Sequence, residues 1–137
     1  MSTFHLQIVT PDGMSFEGQA ESLSVRTQDG GVTILPGHID YMAPLGMGPA
    51  KVKVDGKERV AACIGGMVAV TKGDVRLVAT TFEWADEIDV DRAQRSEEKA
   101  RKVLDDRDRR FDKDIKLAEA RLKRSLVRQG VASRKYF

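Results

Sequence analysis

All four prolines and eleven of the twelve glycines lie before Asp89. That distribution constrains the fold more than any other feature. Up to Asp89 the chain reads as short apolar strands separated by turn residues. Beyond it come helix-forming and charged residues, with a single glycine at position 130. Charge divides at nearly the same place: residues 1–85 hold 7 Lys+Arg against 9 Asp+Glu, and 86–137 hold 16 against 12. A chain of 137 residues therefore carries two architectures, and the strand-rich one is small but above the size at which a domain can fold alone.

In the first part, Phe4, Leu6 and Ile8 alternate with His5, Gln7 and Val9, the period of a half-buried strand. Pro11-Asp12-Gly13 turns the chain. Leu23 and Val25 alternate with Ser22, Ser24 and Arg26 until Asp29-Gly30-Gly31. Asp55-Gly56 between Val52–Val54 and Lys57–Ile64 has the composition of a tight primed hairpin turn. Another hairpin is expected from Met67–Val70 and Val75–Ala79, turning through Thr71-Lys72-Gly73-Asp74. Gly65-Gly66 marks either a bulge or a close approach of two backbones, and a docking surface is the functional counterpart of that geometry. Strands so closely spaced imply an antiparallel sandwich or barrel.

Asp89 is placed to cap a helix, because its carboxylate can accept from the free amides of the first turn. Val90, Ala93, Ala100 and Leu104 then form a narrow stripe. The all-charged run from Asp105 to Arg110 predicts a loop. A second helix is expected from about Phe111, with Ile115, Ala118, Leu122 and Leu126 as its stripe, ending at Gly130. Two such helices should pair antiparallel, and with few large side chains between them they bury little. A weakly held pair of helices is physically suited to act as a switch. Positions 119–137 hold Arg121, Lys123, Arg124, Arg128, Arg134 and Lys135 against one acid, Glu119. Such a surface suits an acidic protein face, anionic lipid or nucleic acid. The last reading lacks interleaved aromatic residues, apart from Tyr136 and Phe137.

Cys63 is the only cysteine, which excludes an internal disulfide framework. The start of the chain has neither the basic nor the apolar segment of a signal peptide. A soluble intracellular chain is expected, held at any membrane only by other proteins. His5 and His38 have no metal-ligand spacing with any cysteine, no phosphate-cradling glycine loop is present, and no serine sits in a nucleophile elbow. The chain is expected to catalyse nothing by itself and to need no metal.

Three motifs resemble those of the epsilon subunits of bacterial F-type ATP synthases. Gly31-Val32-Thr33-Ile34-Leu35-Pro36-Gly37-His38 is similar to the glycine-x-x-Ile-Leu-Pro-Gly-His signature of that family. Ile64-Gly65-Gly66 matches its glycine pair, and Ile88-Asp89-Val90-Asp91-Arg92-Ala93 matches the Ile/Leu-Asp-x-x-Arg-Ala motif that opens its helical part. Departures are Gly31, where many relatives carry an acid, and Ile39-Asp40-Tyr41, where small residues and proline are usual.

The resemblance implies a β-sandwich of about ten antiparallel strands over residues 1–87, followed by an antiparallel two-helix hairpin over 88–137. By the same resemblance the sandwich binds the gamma subunit and the c ring, with Gly30, Gly31, Pro36, Gly37 and His38 at the rotor interface. The rotor would couple proton flow to ATP synthesis. The hairpin would extend toward the beta and alpha subunits and inhibit ATP hydrolysis, using Lys123, Arg124 and Arg128. Folded, it would hold ATP as a regulatory ligand rather than a cofactor, through Ile88, Asp89, Arg92, Ala93, Arg121, Arg124 and Arg128. The protein would lie peripherally on the cytoplasmic face of the cell membrane, without nucleic acid. The alternative, a nucleic-acid adaptor, would use the basic second helix.

Overall fold

The computed structural model describes residues 2–106 and 111–133. Two compact units divide it, Met1–Ala85 and Asp86–Phe137. The first contains eight strands: β1 (Phe4–Thr10), β2 (Gly13–Ala20), β3 (Ser22–Thr27), β4 (Gly30–Ile34), β5 (Tyr41–Pro44), β6 (Met47–Val54), β7 (Lys57–Thr71) and β8 (Asp74–Trp84). They pair in the order β2-β1-β8-β7-β6-β3-β4, with β5 also on β7.

Eight strands make a sandwich of about ten strand segments because β7 and β8 serve both layers. The half of β7 from Lys57 to Ile64 pairs with β6, and the half from Met67 to Val70 pairs with β5. Expected as two strands, it is one of 15 residues. The core records the change of layer. Ala61 and Cys63 belong to it on one side of Gly65-Gly66, and Val68 and Val70 on the other, so the inward phase moves from odd to even positions. The same shift occurs in β8, between Ala79 and Phe82, and between Leu45 of the β5 end and Ala50 of β6.

No residue is inserted at the glycine pair. Ile64 faces Thr81 and Gly66 faces Ala79 in a single register. Close approach, rather than a bulge, is therefore the reason for the glycines. Both have positive φ, 69° and 112°. A Cβ on Gly66 would lie 1.9 Å from the Val78 carbonyl oxygen.

The Asp55-Gly56 turn has both residues at positive φ, as a primed turn requires, and in the second hairpin Lys72 and Gly73 also take positive φ. One feature departs from the antiparallel expectation. β1 runs parallel to β8, pairing Leu6 with Val75 and Val9 with Val78. Strands about 70 residues apart in sequence meet there, and no local pattern specifies such a pairing. The core of the first unit holds Leu6, Ile8, Leu23, Ile34, Val52, Val68 and Leu77, all fully buried. Phe82 and Trp84 meet edge to face, centroids 4.9 Å apart, and Arg59 lies over the Trp84 ring at 3.8 Å. Burial pushes the Cys63 thiol up to about 12, so it stays a protonated core side chain rather than a nucleophile.

The second unit contains α1 (Val90–Asp105) and α2 (Asp112–Ser133). α1 includes Asp105, and Asp106 donates its amide to the Val103 carbonyl. The rest of the expected loop, 107–110, lies outside the described residues, as do Arg134, Lys135, Tyr136 and Phe137. α2 does not stop at Gly130. A mid-helix glycine costs only about 1 kcal/mol. Val131 is fully buried one residue on, and the Ser133 hydroxyl donates to the carbonyls of Gln129 and Gly130. Among the described residues no helix is long and apolar enough to cross a membrane.

Gly66→Ala should cost roughly 3 kcal/mol or more, because the methyl would strike backbone at a positive φ. Thermal unfolding of the full chain checks this, and a loss below about 1 kcal/mol would contradict the close approach.

Candidate functional site

The signature Leu35-Pro36-Gly37-His38 folds as a tight turn. The His38 amide donates to the Leu35 carbonyl at 3.2 Å, and Gly37 takes φ 81°. Proline before a positive-φ glycine is the pattern of a type II turn. It leaves Leu35 and Ile39 exposed, the latter to 78%. His38 is held locally, with Nδ1 2.8 Å from the Ile39 carbonyl and its ring against Tyr41. Asp40 accepts from the Lys72 amide at 2.9 Å, tying this loop to the β7–β8 turn. Beside it lies an open groove of about 710 Å³, lined by Glu21, Ser22, Leu35, Pro36, Gly37 and Lys53 among others.

Gly30 and Gly31 sit elsewhere. They begin β4, so that strand separates them from Pro36 by roughly 15 Å. Near them the Gln28 amide donates to the Pro44 carbonyl. β5 therefore links the two groups: it leaves the Pro36–His38 turn at Tyr41 and reaches the β3–β4 turn at Pro44. A Cβ on Gly31 would meet the Val25 carbonyl oxygen only at ordinary contact distance, 4.0 Å, so nothing steric demands glycine there.

From Pro44 an apolar row crosses five strands. Pro44 pairs with Met67, Met67 with Val78, Val78 with Val9, and Val9 with Met14. Met14, Met67 and Val78 are 53%, 39% and 44% exposed, and Met42 on β5 is 69% exposed. Apolar residues in the outward phase of strands normally mark a surface that another molecule covers. Sequence reading missed this row, although Val9 and Val78 carry its signal: each is apolar at a position where its strand faces out.

In the helical unit Asp89 caps α1, its carboxylate accepting from the Arg92 amide at 3.0 Å. Asp89 and Arg92 are exposed, whereas Ile88 and Ala93 are buried. Two residues of the motif thus pack and two are open to a ligand. Gln129 Nε2 donates to Glu97 Oε1 at 2.8 Å, which marks the facing stripes of the helices. Helical spacing then places Ala93, Ala100 and Leu104 beside Glu97, and Ala118, Leu122 and Ser125 beside Gln129. Ser125 is buried where Leu126 was expected, its hydroxyl satisfied by the Leu122 carbonyl. Leu126 and Val90 are exposed at 38% each, so neither belongs to the seam.

With Glu97 level with Gln129, Arg92 lies about 7.5 Å from that level, on the side toward Ser133. At 1.5 Å per residue, Arg128, Arg124 and Arg121 lie about 9, 15 and 20 Å further along α2. Arg128 is the arginine of the three nearest the Asp89–Arg92 end, and Arg121 stands well apart. Arg121 and Lys123 are exposed; Arg124 and Arg128 are half-buried.

Glu97 also accepts from Arg101 at 2.7 Å through its other oxygen. The bonds from Gln129 and Arg101 hold its carboxyl below the usual glutamate range. Its contribution to hairpin stability is complete above that ordinary range and is lost as pH falls through the lowered value. Asp89→Ala should destabilise α1 by about 1 kcal/mol, while Asp89→Ser should restore most of the cap. Helix-amide hydrogen exchange would show the difference, and equal protection in the aspartate and alanine forms would contradict it.

Comparison with known proteins agrees with this layout. Residues 3–85 match the family model described as ATP synthase, Delta/Epsilon chain, beta-sandwich domain. An ATP synthase epsilon chain of Ruminococcus albus is 42% identical over 98% of this chain and all of its own length. One from Bacillus pumilus is 37% identical over 98% and 100%. A chain in the cryo-EM structure of the Euglena gracilis mitochondrial ATP synthase superposes with TM-score 0.79 at 21% identity, covering 90% of this chain and 77% of that one. At that identity the superposition speaks to the fold alone. The motifs, the sandwich with its two C-terminal helices and full-length relatives at about 40% identity agree: this chain belongs to the ATP synthase epsilon chain family.

Proposed function

We infer that this chain works as the non-catalytic epsilon subunit of an F-type ATP synthase, seated on the rotor through its sandwich and regulating hydrolysis through its hairpin. The observation that carries the docking part is the uncovered apolar row from Pro44 to Met14, continuous with Met42 and flanked by the two loops at either end of β5. A row spanning five strands offers a partner a rigid strip, and burying it excludes water from several large side chains, each worth about 1.5–3 kcal/mol. The gamma subunit is the partner proposed for this strip. The c ring is proposed for the exposed loop positions Gly30, Gly31, Pro36, Gly37 and His38. Peripheral attachment at the cytoplasmic membrane face would follow from those contacts, and proton coupling from rotation of the whole assembly.

For the hairpin, the supporting observation is its thin seam. Ala93, Ala100, Ala118 and Ser125 are small, so separating the helices exposes little apolar surface. The exposed Lys123 and the half-buried Arg124 and Arg128 supply positive charge for an acidic face on the beta and alpha subunits. ATP as a regulatory ligand is proposed at Asp89, Arg92 and Arg128. Arginine forks suit phosphate oxygens, and the hairpin register favours Arg128 over Arg121. A ligand at 100 times its dissociation constant adds about 2.7 kcal/mol to the form that binds it, enough to reset a balanced hairpin. The named relatives are ATP synthase subunits, so the nucleic-acid reading of the basic helix is set aside.

Two experiments test this reading. Removing all residues after Ile88 should leave assembly and ATP synthesis intact and raise hydrolysis by the isolated catalytic head; unchanged hydrolysis would remove the regulatory role. Met67→Glu with Val78→Glu places charge in the row without touching the core. It should weaken association with gamma by at least a hundredfold in a binding titration while the unfolding temperature stays within a few degrees. Undiminished association would remove the row from the interface.

A further inference from the structure

The seam between α1 and α2 has a property that its small residues alone leave undetermined. On α1 the facing positions are Ala93, Glu97, Ala100 and Leu104, and on α2 they are Ala118, Leu122, Ser125 and Gln129. Both sets repeat every seven residues. In the register of the Glu97–Gln129 bond Leu104 is level with Leu122 and Ala100 lies near Ser125. A slip of one heptad brings Leu104 level with Ile115 and Ala100 near Ala118, so apolar packing alone distinguishes the two alignments poorly. Glu97 and Gln129 differ. They are half-buried and meet across the seam at 2.8 Å, and the second Glu97 oxygen is taken by Arg101 at 2.7 Å. A slip of seven residues one way would face Glu97 with Leu122. The other way would carry it beyond the described end of α2, and either slip parts it from Gln129.

We propose that the Glu97–Gln129 pair is the register latch of the hairpin, the contact that selects one alignment of two otherwise permissive helices and that must break before they separate. A single buried polar residue fixes register in coiled coils by the same physics, since misaligned forms leave a polar group facing apolar neighbours. The small seam makes separation easy, and the latch makes reclosure return to one state. Describing its release as regulatory rests on the function proposed above. Its existence as a latch does not.

The test uses the full-length chain with spin labels at the exposed positions Lys99 and Lys123, and reads the distance distribution between them. The unaltered pair should give one narrow distance. Glu97→Ala and Gln129→Ala should each add a second population displaced by about 10 Å, one heptad of helix rise, or a broad distribution from separated helices. The double variant should be no worse than either single one. Glu97→Gln combined with Gln129→Glu rebuilds the bond with donor and acceptor exchanged, and should return most molecules to the single distance. A narrow, unchanged distance in both alanine variants would overturn the proposal. So would a broadening that the exchanged pair fails to reverse. The measurement involves no ATP hydrolysis, so a hairpin that latches yet leaves hydrolysis untouched would sink the regulatory reading alone.

Discussion

The sandwich depends on one close approach, where Gly65 and Gly66 let β7 pass from one layer to the other. The pairing register with β8 is the same on both sides of the pair, yet the inward face changes phase. In β7 the face turns over at two residues of positive φ, Gly65 and Gly66, without an extra residue being inserted. Only a residue without Cβ fits at position 66, where a Cβ would lie 1.9 Å from the Val78 carbonyl oxygen. With that crossing made, two layers close over one core from a single continuous sheet. Both halves of the interior, from Leu6 and Leu77 to Leu23 and Val52, follow from it.

The crossing also shapes the outer surface. Beyond the glycine pair, Met67 and Val78 are paired with each other and face outward, where they join Pro44, Val9 and Met14 in a strip. A rigid sheet under such a strip keeps its geometry whether or not a partner is bound, so little ordering entropy opposes docking. The helical unit follows opposite physics. Its seam is small and polar at one point, so cohesion is low and specificity rests on individual bonds. One chain thus contains an element suited to permanent attachment and another suited to exchange, which is what a regulatory subunit of a rotary machine requires.

Much of this was legible from residues. Asp55-Gly56 and Gly73 announced their hairpins because positive φ has few tolerant residues. Asp89 announced its cap because an exposed carboxylate is the cheapest partner for free helix amides. The strands of β1 and β3 showed in their alternation. β2 did not, since Gly13, Gly18 and scattered polar residues blur its period, and its place is set by pairing with β1. The end of α2 was misread at Gly130 because local propensity was outweighed by the buried Val131. Leu126 was expected in the seam because it is large and apolar; the helix phase gave that place to Ser125, whose hydroxyl bonds back to its own helix.

The sequence by itself determined the division into a strand-rich and a helical part, the turn positions, the helix start and, through three motifs, the family. Those properties depend on neighbouring residues, where sterics and backbone hydrogen bonding act over a few positions. Tertiary structure alone decided the parallel meeting of β1 with β8, the alignment of five outward residues into one apolar strip, and the register in which Glu97 meets Gln129. Each joins residues dozens of positions apart, and their encounter is settled by how whole elements pack rather than by any local preference.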